Sequence, residues 1–213
     1  MESTGGDYTE GNAWQHTWHV QHDVAGLIDL MGGKESFAMK LDSLFMLDTI
    51  AENTGFVSDV SGFIGQYAHG NEPSHHVVYL YNYVDQPWKT QELIPEIFER
   101  FYKPKPDGLC GNDDCGQMSA WYIFSSMGFY PVDPISGEYV LGAPQMDKIS
   151  IQLTEDRAFV VEAENLSRKN KYVKSVELNG KPVRGLTIKH EDIMSGGHLV
   201  FTMTDEPMKR VLK

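Results

Sequence analysis

The stretch Gly108-Leu-Cys-Gly-Asn-Asp-Asp-Cys-Gly-Gln-Met-Ser-Ala-Trp-Tyr122 places one amide and two carboxylates between glycines, directly before a predicted helix. A helix N-terminus favours nearby anions through its unpaired N–H groups and its dipole. The turn therefore suits a carboxylate that acts as a general base or binds a cation. The alternative is that Asp113 or Asp114 only caps the helix, which is a routine use of Asp.

The composition excludes several classes of protein. The chain has 213 residues, of which 23% are charged and 41% hydrophobic, as in an ordinary globular protein. The net charge of −12 argues against a nucleic-acid partner, which would require a basic face. No apolar run approaches the roughly 20 residues that span a bilayer, so we expect no membrane partner. The first residues lack the basic and apolar regions of a signal peptide, so they do not predict a localisation.

The two cysteines, Cys110 and Cys115, flank the acidic turn. A zinc site needs more ligands than this pair offers. A disulfide across the short loop is the alternative, and its geometry decides it. We favour two free thiols packed beneath the loop, because Cys is commonly buried as a small apolar residue.

The pattern of apolar residues changes near residue 137. Before it, aromatic-rich segments at helical spacing predict helices over 12–31, 34–49, 90–102 and 117–127, and another that begins at Pro73. Polar clusters lie in the loops between them. This succession indicates part of an (α/α)₆ toroid, but about five helices are too few to close six hairpins.

After residue 137 the pattern predicts a small antiparallel β-sandwich. Asn179-Gly180 is a strong hairpin turn, because both residues tolerate positive φ. The fold class is therefore α+β, with a helical domain over 1–136 and a β-sandwich module over 137–213. The predicted strands cover 138–141, 148–153, 158–163, 172–178, 186–189 and 199–203.

The first polar cluster surrounds Glu10. This residue precedes Gly11 and a predicted helix, so its carboxyl can project into a cleft. Trp14 and Trp18 beside it would partly desolvate the carboxyl and favour the protonated form that a general acid needs. The alternatives are that Glu10 only favours the helix dipole, and that the tryptophans are core residues.

The second cluster is His69-Gly-Asn-Glu-Pro-Ser-His-His76. Asn71 and Glu72 offer the oxygen ligands that Ca²⁺ prefers. Adjacent histidines make a poor chelate for a transition metal, because they point to different faces of a helix. We interpret His69, His75 or His76 as hydrogen-bond partners of a polar ligand, with a buried structural histidine as the alternative.

Glu10 and Asp114 come from distant segments and form the minimum set for cleaving a glycosidic bond, in which one carboxyl is protonated and the other ionised. Asp113 is a second candidate for the base. Flat aromatic faces that could stack on a sugar come from Trp14, Trp88 and Trp121. The chain lacks a Gly-x-Ser-x-Gly elbow and a phosphate-binding glycine loop, which argues against serine hydrolases and nucleotide enzymes.

Three motifs occur over residues 8 to about 145: Glu10-Gly-Asn-Ala-Trp-Gln15 with His22-Asp-Val-Ala-Gly-Leu27, then His69–His76, then Gly111–Tyr122 with Met127-Gly-Phe-Tyr-Pro131. Together the motifs resemble the closing segments of glycoside hydrolase family 92, the calcium-dependent exo-acting α-mannosidases. The remaining tail resembles the terminal β module of that family.

The resemblance implies an inverting hydrolase that removes terminal α-mannose from glycans, with Ca²⁺ as cofactor. Glu10 matches the general acid and Asp114 the general base. Asn71 and Glu72 are the expected contribution to the Ca²⁺ site. The expected sugar contacts are Trp14, Gln15, His69, His75 and Trp88.

Two departures qualify this resemblance. Asn112 stands where the family pattern suggests a second acidic residue, so base duty falls on Asp114. The chain also lacks the N-terminal sandwich and the first part of the barrel. We therefore expect an exposed apolar face, association with the missing N-terminal part or with itself, and no activity of the fragment alone. The alternative function is a non-catalytic carbohydrate-binding module, and a purely structural role is the third. Family members are commonly exported, which implies a periplasmic or extracellular parent protein.

Overall fold

The computed structural model describes residue 8, residues 10–47 and residues 60–209. Contacts divide the chain into two compact units. The first contains the residues up to Val78 together with Glu96–Trp121, and the second contains Tyr79–Pro95 and the residues from Tyr122 onward. The predicted domain boundary after residue 136 stays a prediction.

The segment predicted as one helix over 12–31 is divided. Asn12 accepts a hydrogen bond from the backbone N–H of Trp14, and Asp23 accepts one from the N–H of Gly26. Because each cap begins a new helix, the prediction of a continuous helix was wrong. The segments are α1 (Ala13–His16), a 3₁₀ turn (Gln21–Asp23) and α2 (Val24–Leu30).

Helix α3 (Lys34–Met46) follows the predicted glycine stop, where Gly32 and Gly33 both have positive φ. It buries Phe37, Leu41 and Leu44, as the spacing predicted. The predicted end of this helix at residue 49 lies outside the described residues. A two-stranded antiparallel hairpin then leads to the second polar cluster through β1 (Phe63–Ile64) and β2 (Tyr67–Ala68).

Three helical segments follow the hairpin. Pro73 lies in a short 3₁₀ turn (Glu72–Ser74), and Val77–Val84 is also a 3₁₀ helix rather than the α-helix that we expected. Its β-branched and aromatic residues have low α-helix propensity. Helix α4 (Pro87–Phe101) begins earlier than predicted, at a proline, and α5 (Gln117–Ser126) follows the acidic turn.

The strands of the second unit form a three-stranded sheet of order β3-β4-β9 and a five-stranded sheet of order β5-β6-β10-β7-β8. Strand β10 pairs parallel with β6 and antiparallel with β7, so the expectation of a wholly antiparallel arrangement was wrong. The last strand inserts between two earlier ones, and local alternation does not reveal its direction. The strands are β3 (Phe129–Tyr130), β4 (Glu138–Leu141), β5 (Lys148–Thr154), β6 (Arg157–Glu164), β7 (Tyr172–Leu178), β8 (Lys181–Pro182), β9 (Thr187–Lys189) and β10 (Gly197–Thr204), with helix α6 (His190–Met194) before β10.

Asn179 and Gly180 form the predicted hairpin turn between β7 and β8, with φ of 51° and 72°. One hydrophobic core in this unit receives side chains from both sheets. Alternate residues of β6 and β10 contribute to it, which accounts for the period-two pattern of the sequence. Its fully buried aromatic residues are Phe129, Phe159 and Phe201.

Candidate functional site

Glu10 lies two residues before Asn12, the N-cap of α1, and is half-buried. Its Oε2 accepts a hydrogen bond from Nδ2 of Asn71 at 3.2 Å. The ring Nε2 of His16 lies 2.5 Å from the backbone carbonyl oxygen of Glu10. These contacts hold the carboxyl of Glu10 against the second polar cluster, 61 residues further along the chain.

Gln15 fastens α1 to the β1–β2 hairpin. Its Oε1 accepts from the N–H of Asn12 at 2.7 Å, and its Nε2 donates to the carbonyl of Gln66 at 2.6 Å. The side chain of Asn12 adds a bond from Nδ2 to Oε1 of Gln66 at 3.3 Å. Gln15 is buried, and both polar atoms of its amide are bonded within the protein. Its contact with a sugar stays a prediction.

The two tryptophans near Glu10 differ in exposure. Trp18 is 1% exposed and packs edge-to-face on Phe37, so it belongs to the core. Trp14 is half-buried, and Nζ of Lys40 lies 4.9 Å from its ring centroid. This cation–π contact covers one face of the Trp14 indole.

His69 is fully buried, and both ring nitrogens are hydrogen-bonded. The hydroxyl of Tyr102 donates to the carbonyl of Met118 and so accepts from Nε2–H of His69 at 2.8 Å. Nδ1 of His69 therefore accepts from the hydroxyl of Tyr67, also at 2.8 Å. Burial holds the pKa of His69 well below its usual value, so this imidazole is neutral.

His75 links the second polar cluster to α5. Its Nε2–H donates to the carbonyl of His69 at 2.9 Å, and its Nδ1 accepts from Nε2 of Gln117 at 3.1 Å. Its own carbonyl accepts from the indole N–H of Trp121 at 2.9 Å. Burial lowers the pKa of His75 to about 4. His75 is thus a neutral side chain that joins His69 to Gln117, and its contact with a sugar stays a prediction.

His76 is directed to a different segment from that of its neighbour His75. Its Nε2–H donates to the carbonyl of Trp18 at 2.7 Å. Burial lowers its pKa to about 4. Its buried Nδ1 has no hydrogen-bond partner within the described part of the chain.

Asp113 caps α5. One of its oxygens accepts from the backbone N–H of Ser119 at 2.9 Å, and both accept from the hydroxyl of that residue at 3.0 Å. The capping alternative raised by the sequence therefore applies to Asp113. The carboxylate of Asp114 does not take part in this cap and can make other contacts.

Asp114 begins three consecutive residues with left-handed φ: 44° at Asp114, 56° at Cys115 and 94° at Gly116. A non-glycine residue in this region costs about 1–2 kcal/mol, and such strain is concentrated at functional sites. Oδ1 of Asp114 accepts from Nδ2 of Asn112 at 2.8 Å. The sequence did not predict this backbone conformation, because only Gly116 signals it.

Glu72 connects the two candidate catalytic carboxyls. The negative charges of both Asp114 and Glu10 act on its carboxyl. Partial burial raises the pKa of Glu72 most, and the nearby carboxylates of Asp114 and Glu10 raise it further. The residue remains largely exposed to solvent, so its desolvation is incomplete. Three acidic side chains from separate segments therefore share one locality.

The other predicted aromatic contacts lie in different surroundings. Trp121 is fully buried against His69, with ring centroids 4.4 Å apart, so its expected role as a flat surface for a sugar was wrong. Tyr102 stacks on the same indole. Trp88 is half-buried in the first turn of α4, in the second unit.

Both cysteines are free, as predicted. Cys110 is partly buried, which raises its pKa to about 11. The expected burial of Cys115 was wrong, since this residue is exposed at the tip of the left-handed turn.

Asn71 and Glu72 suit Ca²⁺ in the chemistry of their ligands. Nδ2 of Asn71 is used on Glu10, which leaves its amide oxygen as the group for a cation. This amide and the Glu72 carboxylate supply at most three of the six to eight oxygens that Ca²⁺ takes. Within residues 8, 10–47 and 60–209, no group of three or more His, Cys, Asp or Glu side chains is placed to hold a metal ion.

The family is decided by a match over residues 1–205 to the model of the glycosyl hydrolase family 92 catalytic domain. The chain belongs to glycosyl hydrolase family 92. The match is to the catalytic domain of this family, and the mixture of helices and small sheets is the fold of its solved members.

Two solved structures of the family are closely similar to this chain. The family GH92 α-mannosidase BT3965 of Bacteroides thetaiotaomicron, solved in complex with mannoimidazole, is 45% identical with a TM-score of 0.91 over 98% of the chain. The family GH92 inverting mannosidase BT2199 of the same species is 37% identical with a TM-score of 0.84 over the whole chain. The chain covers 27% and 30% of those proteins.

A curated relative from the fungus Arthroderma benhamiae is described as an uncharacterized secreted glycosidase. It is 28% identical over 97% of this chain, which covers 25% of that protein. These three relatives are thus about three to four times longer than this chain. A search of the described helices finds none with the length and apolarity to cross a membrane.

Proposed function

We propose that the protein containing this chain hydrolyses terminal α-linked mannose from glycans by an inverting acid–base mechanism. The observation that carries the proposal is that the second polar cluster bonds to both loops: Asn71 donates to Glu10 at 3.2 Å, and His75 accepts from Gln117, three residues after Asp114, at 3.1 Å. The carboxyls matching the family's acid and base therefore lie in one locality. Two structural relatives named as mannosidases, one of them inverting, support the substrate class and the stereochemistry.

Glu10 is the proposed general acid. Its half-buried carboxyl is held on one oxygen by the amide of Asn71. This contact leaves the other oxygen to carry a proton toward the glycosidic oxygen. As the bond between that oxygen and the anomeric carbon breaks, Glu10 transfers the proton to the departing sugar.

Asp114 is the proposed general base. It removes a proton from a water molecule, whose oxygen forms the new bond to the anomeric carbon on the face opposite the leaving group. Inverting enzymes place their two carboxyls about 6.5–9.5 Å apart to admit this water. Asp113 was the second candidate, but both of its oxygens are bonded to Ser119, so we assign it to capping α5.

Asn71 and Glu72 are the residues through which this chain would contribute to a Ca²⁺ site. Their oxygens have the ligand chemistry that the ion prefers. When bound, Ca²⁺ would supply an electrostatic contact that orients sugar hydroxyl oxygens. The remaining oxygens would come from water, the sugar and the rest of the protein.

Trp14 is the residue of the first unit that we propose for stacking on the sugar, because its indole is only half-buried and lies four residues after Glu10, with Lys40 over one face. The sugar contact of Trp88 stays a prediction. Gln15, His69 and His75 use their side-chain atoms within the protein. We propose that these bonds hold the frame of the site, and the sugar contacts of the three residues stay predictions.

We further propose that this chain acts as part of the longer enzyme, since it covers only 25% to 30% of its relatives. In this arrangement the helices contribute to an (α/α)₆ barrel, and the strands form the terminal β-sandwich module. The fragment alone would be inactive, and it would associate with the N-terminal part or with itself. A periplasmic or extracellular location is proposed from the secreted relative.

The test uses the intact parent protein with α-mannobiose as substrate. Glu10→Gln and Asp114→Asn should each reduce kcat by about two to four orders of magnitude, and NMR should show the β-anomer of mannose as the first product. Full activity in both variants would refute the assigned roles. Glycan binding without hydrolysis in the unmodified protein would instead favour the carbohydrate-binding alternative.

A further inference from the structure

The side chain of Asn112 has a specific partner in the acidic turn. Its Nδ2 donates to Oδ1 of Asp114 at 2.8 Å, although both residues are at least partly accessible to solvent. The amide was the point at which this sequence departed from the acidic residue expected there. The structure shows what the amide does that an acidic residue would not. It donates a hydrogen bond to Asp114, which a carboxylate can do only when it is protonated.

The two carboxylates of the acidic turn, Asp113 and Asp114, make different contacts. Asp113 directs both oxygens toward Ser119 at the start of α5. Asp114 is turned elsewhere by a backbone φ of 44°, and its Oδ1 meets the Asn112 amide. Two adjacent residues of the same type thus acquire different orientations, and the amide fixes one oxygen of the second carboxylate.

We propose that Asn112 is a positioning residue for the general base. This inference rests on the proposed function, in which Asp114 accepts a proton from water. By holding Oδ1, the amide orients Asp114 so that Oδ2 is presented to the water in a defined direction. A base that rotates freely about its terminal bond meets the water in a productive geometry less often, and a misplacement of about 1 Å can cost a hundredfold in rate.

The competing explanation is that the bond only stabilises the turn. The two explanations differ in what they change. A positioning bond affects kcat while leaving KM and the melting temperature nearly unaltered, whereas a purely structural bond affects the melting temperature and leaves turnover in the folded enzyme intact.

The experiment measures kcat, KM and melting temperature of Asn112→Ala and Asn112→Leu in the intact protein, with dinitrophenyl α-mannoside as substrate. This leaving group departs without protonation, so the base-assisted attack of water dominates the measurement. Asn112→Leu keeps approximately the shape of the side chain and removes the donor without adding a second carboxylate beside Asp114. Asn170→Ala is the matched control, because it removes a side-chain amide bond of 2.9 Å to the carbonyl of Asn165 in the second unit.

We expect both Asn112 variants to lose about tenfold to a hundredfold in kcat, with KM changed less than about threefold and the control unchanged. Wild-type kcat in either Asn112 variant would overturn the inference, as would a loss confined to the melting temperature. Asp114→Asn separates this failure from that of the proposed function. If Asp114→Asn is inactive while Asn112→Ala is fully active, only the positioning role of Asn112 is refuted. If Asp114→Asn is itself fully active, the assignment of Asp114 as the base is refuted as well.

Discussion

Replacing Glu10 by Gln should reveal a general acid through its dependence on the leaving group. The contact with Asn71 makes this a precise substitution. In the variant, the amide oxygen can accept the 3.2 Å hydrogen bond that Oε2 accepts now. The side chain therefore stays in place, and only the transferable proton is lost.

The expected loss of kcat can be estimated because the substitution removes the proton and keeps the position of the side chain. A positioned general acid contributes about 10²- to 10⁴-fold, which corresponds to roughly 3–5 kcal/mol of activation free energy. With α-mannobiose, whose leaving group is an alkoxide unless it is protonated, Glu10→Gln should lose that full factor. With dinitrophenyl α-mannoside, whose leaving group is already a stable anion, kcat should stay within about tenfold of the wild type, because little protonation remains to be supplied.

The assay compares kcat on the two substrates in the intact protein. Glu96→Gln is the matched control, because Glu96 is exposed and forms an i,i+4 ion pair with Arg100 at 2.8 Å. Such a surface pair contributes less than about 1 kcal/mol, so both activities should be unchanged in this variant. An equal loss on both substrates in Glu10→Gln would refute proton donation, since it would show a general disturbance of the site.

Four further outcomes follow from the same structure. Asp114→Asn should lose about 10²-fold or more on both substrates, because attack by water needs a base whatever group departs; kcat on the two substrates checks this. Trp121→Ala should destabilise the protein by about 3–5 kcal/mol, because the indole is fully buried, and thermal unfolding measures it. Because Ca²⁺ is the proposed cofactor, its removal with EDTA should abolish activity and its return should restore activity, and an activity titration measures both. Stability should fall as the pH drops from about 6.5 to about 4, on the order of 3 kcal/mol each for His75 and His76, because the unfolded chain binds protons that the buried imidazoles refuse. Unfolding by denaturant across this pH range measures the loss, and a flat profile would contradict it.

The sequence predicted where helices occur, but it did not predict where one helix ends and the next begins. Apolar spacing identified α3 and α5 because each buries a periodic face or follows a clear start signal. The same spacing extends through 12–31, where Asp23 nevertheless begins a new helix by accepting from the N–H of Gly26. An Asp within an apolar period can lie on the solvent face or act as a cap, and only its backbone conformation decides between them.

The β-strands show a different limit of sequence reasoning. Alternation in β6 and β10 gives the buried face of each strand, because that face is a local property. Their parallel pairing, with Leu199 opposite Val161, depends on where the chain returns after β7, β8, β9 and α6. Strand direction is a property of this long connection and leaves no mark on the residues of either strand.

The candidate site was predictable in its acidic residues but not in their partners. Glu10 and Asp114 were singled out by residue type and by family resemblance, and their positions beside Glu72 are consistent with that prediction. The bonds from Asn71 to Glu10 and from Asn112 to Asp114 could not be predicted. Each depends on side-chain orientation within a loop, which residue types alone do not specify.

Buried histidines join the second polar cluster to the segments around it. A neutral imidazole has one donor and one acceptor, so it can join two segments only if its proton lies on the correct nitrogen. His69 joins Tyr67 to Tyr102, and His75 joins the carbonyl of His69 to Gln117, directly after the acidic turn. Burial favours the neutral form of both rings. If either ring were protonated, both nitrogens would become donors and the bond it now accepts would be lost. The low pKa is therefore a condition for the frame that holds the acidic turn beside Glu72.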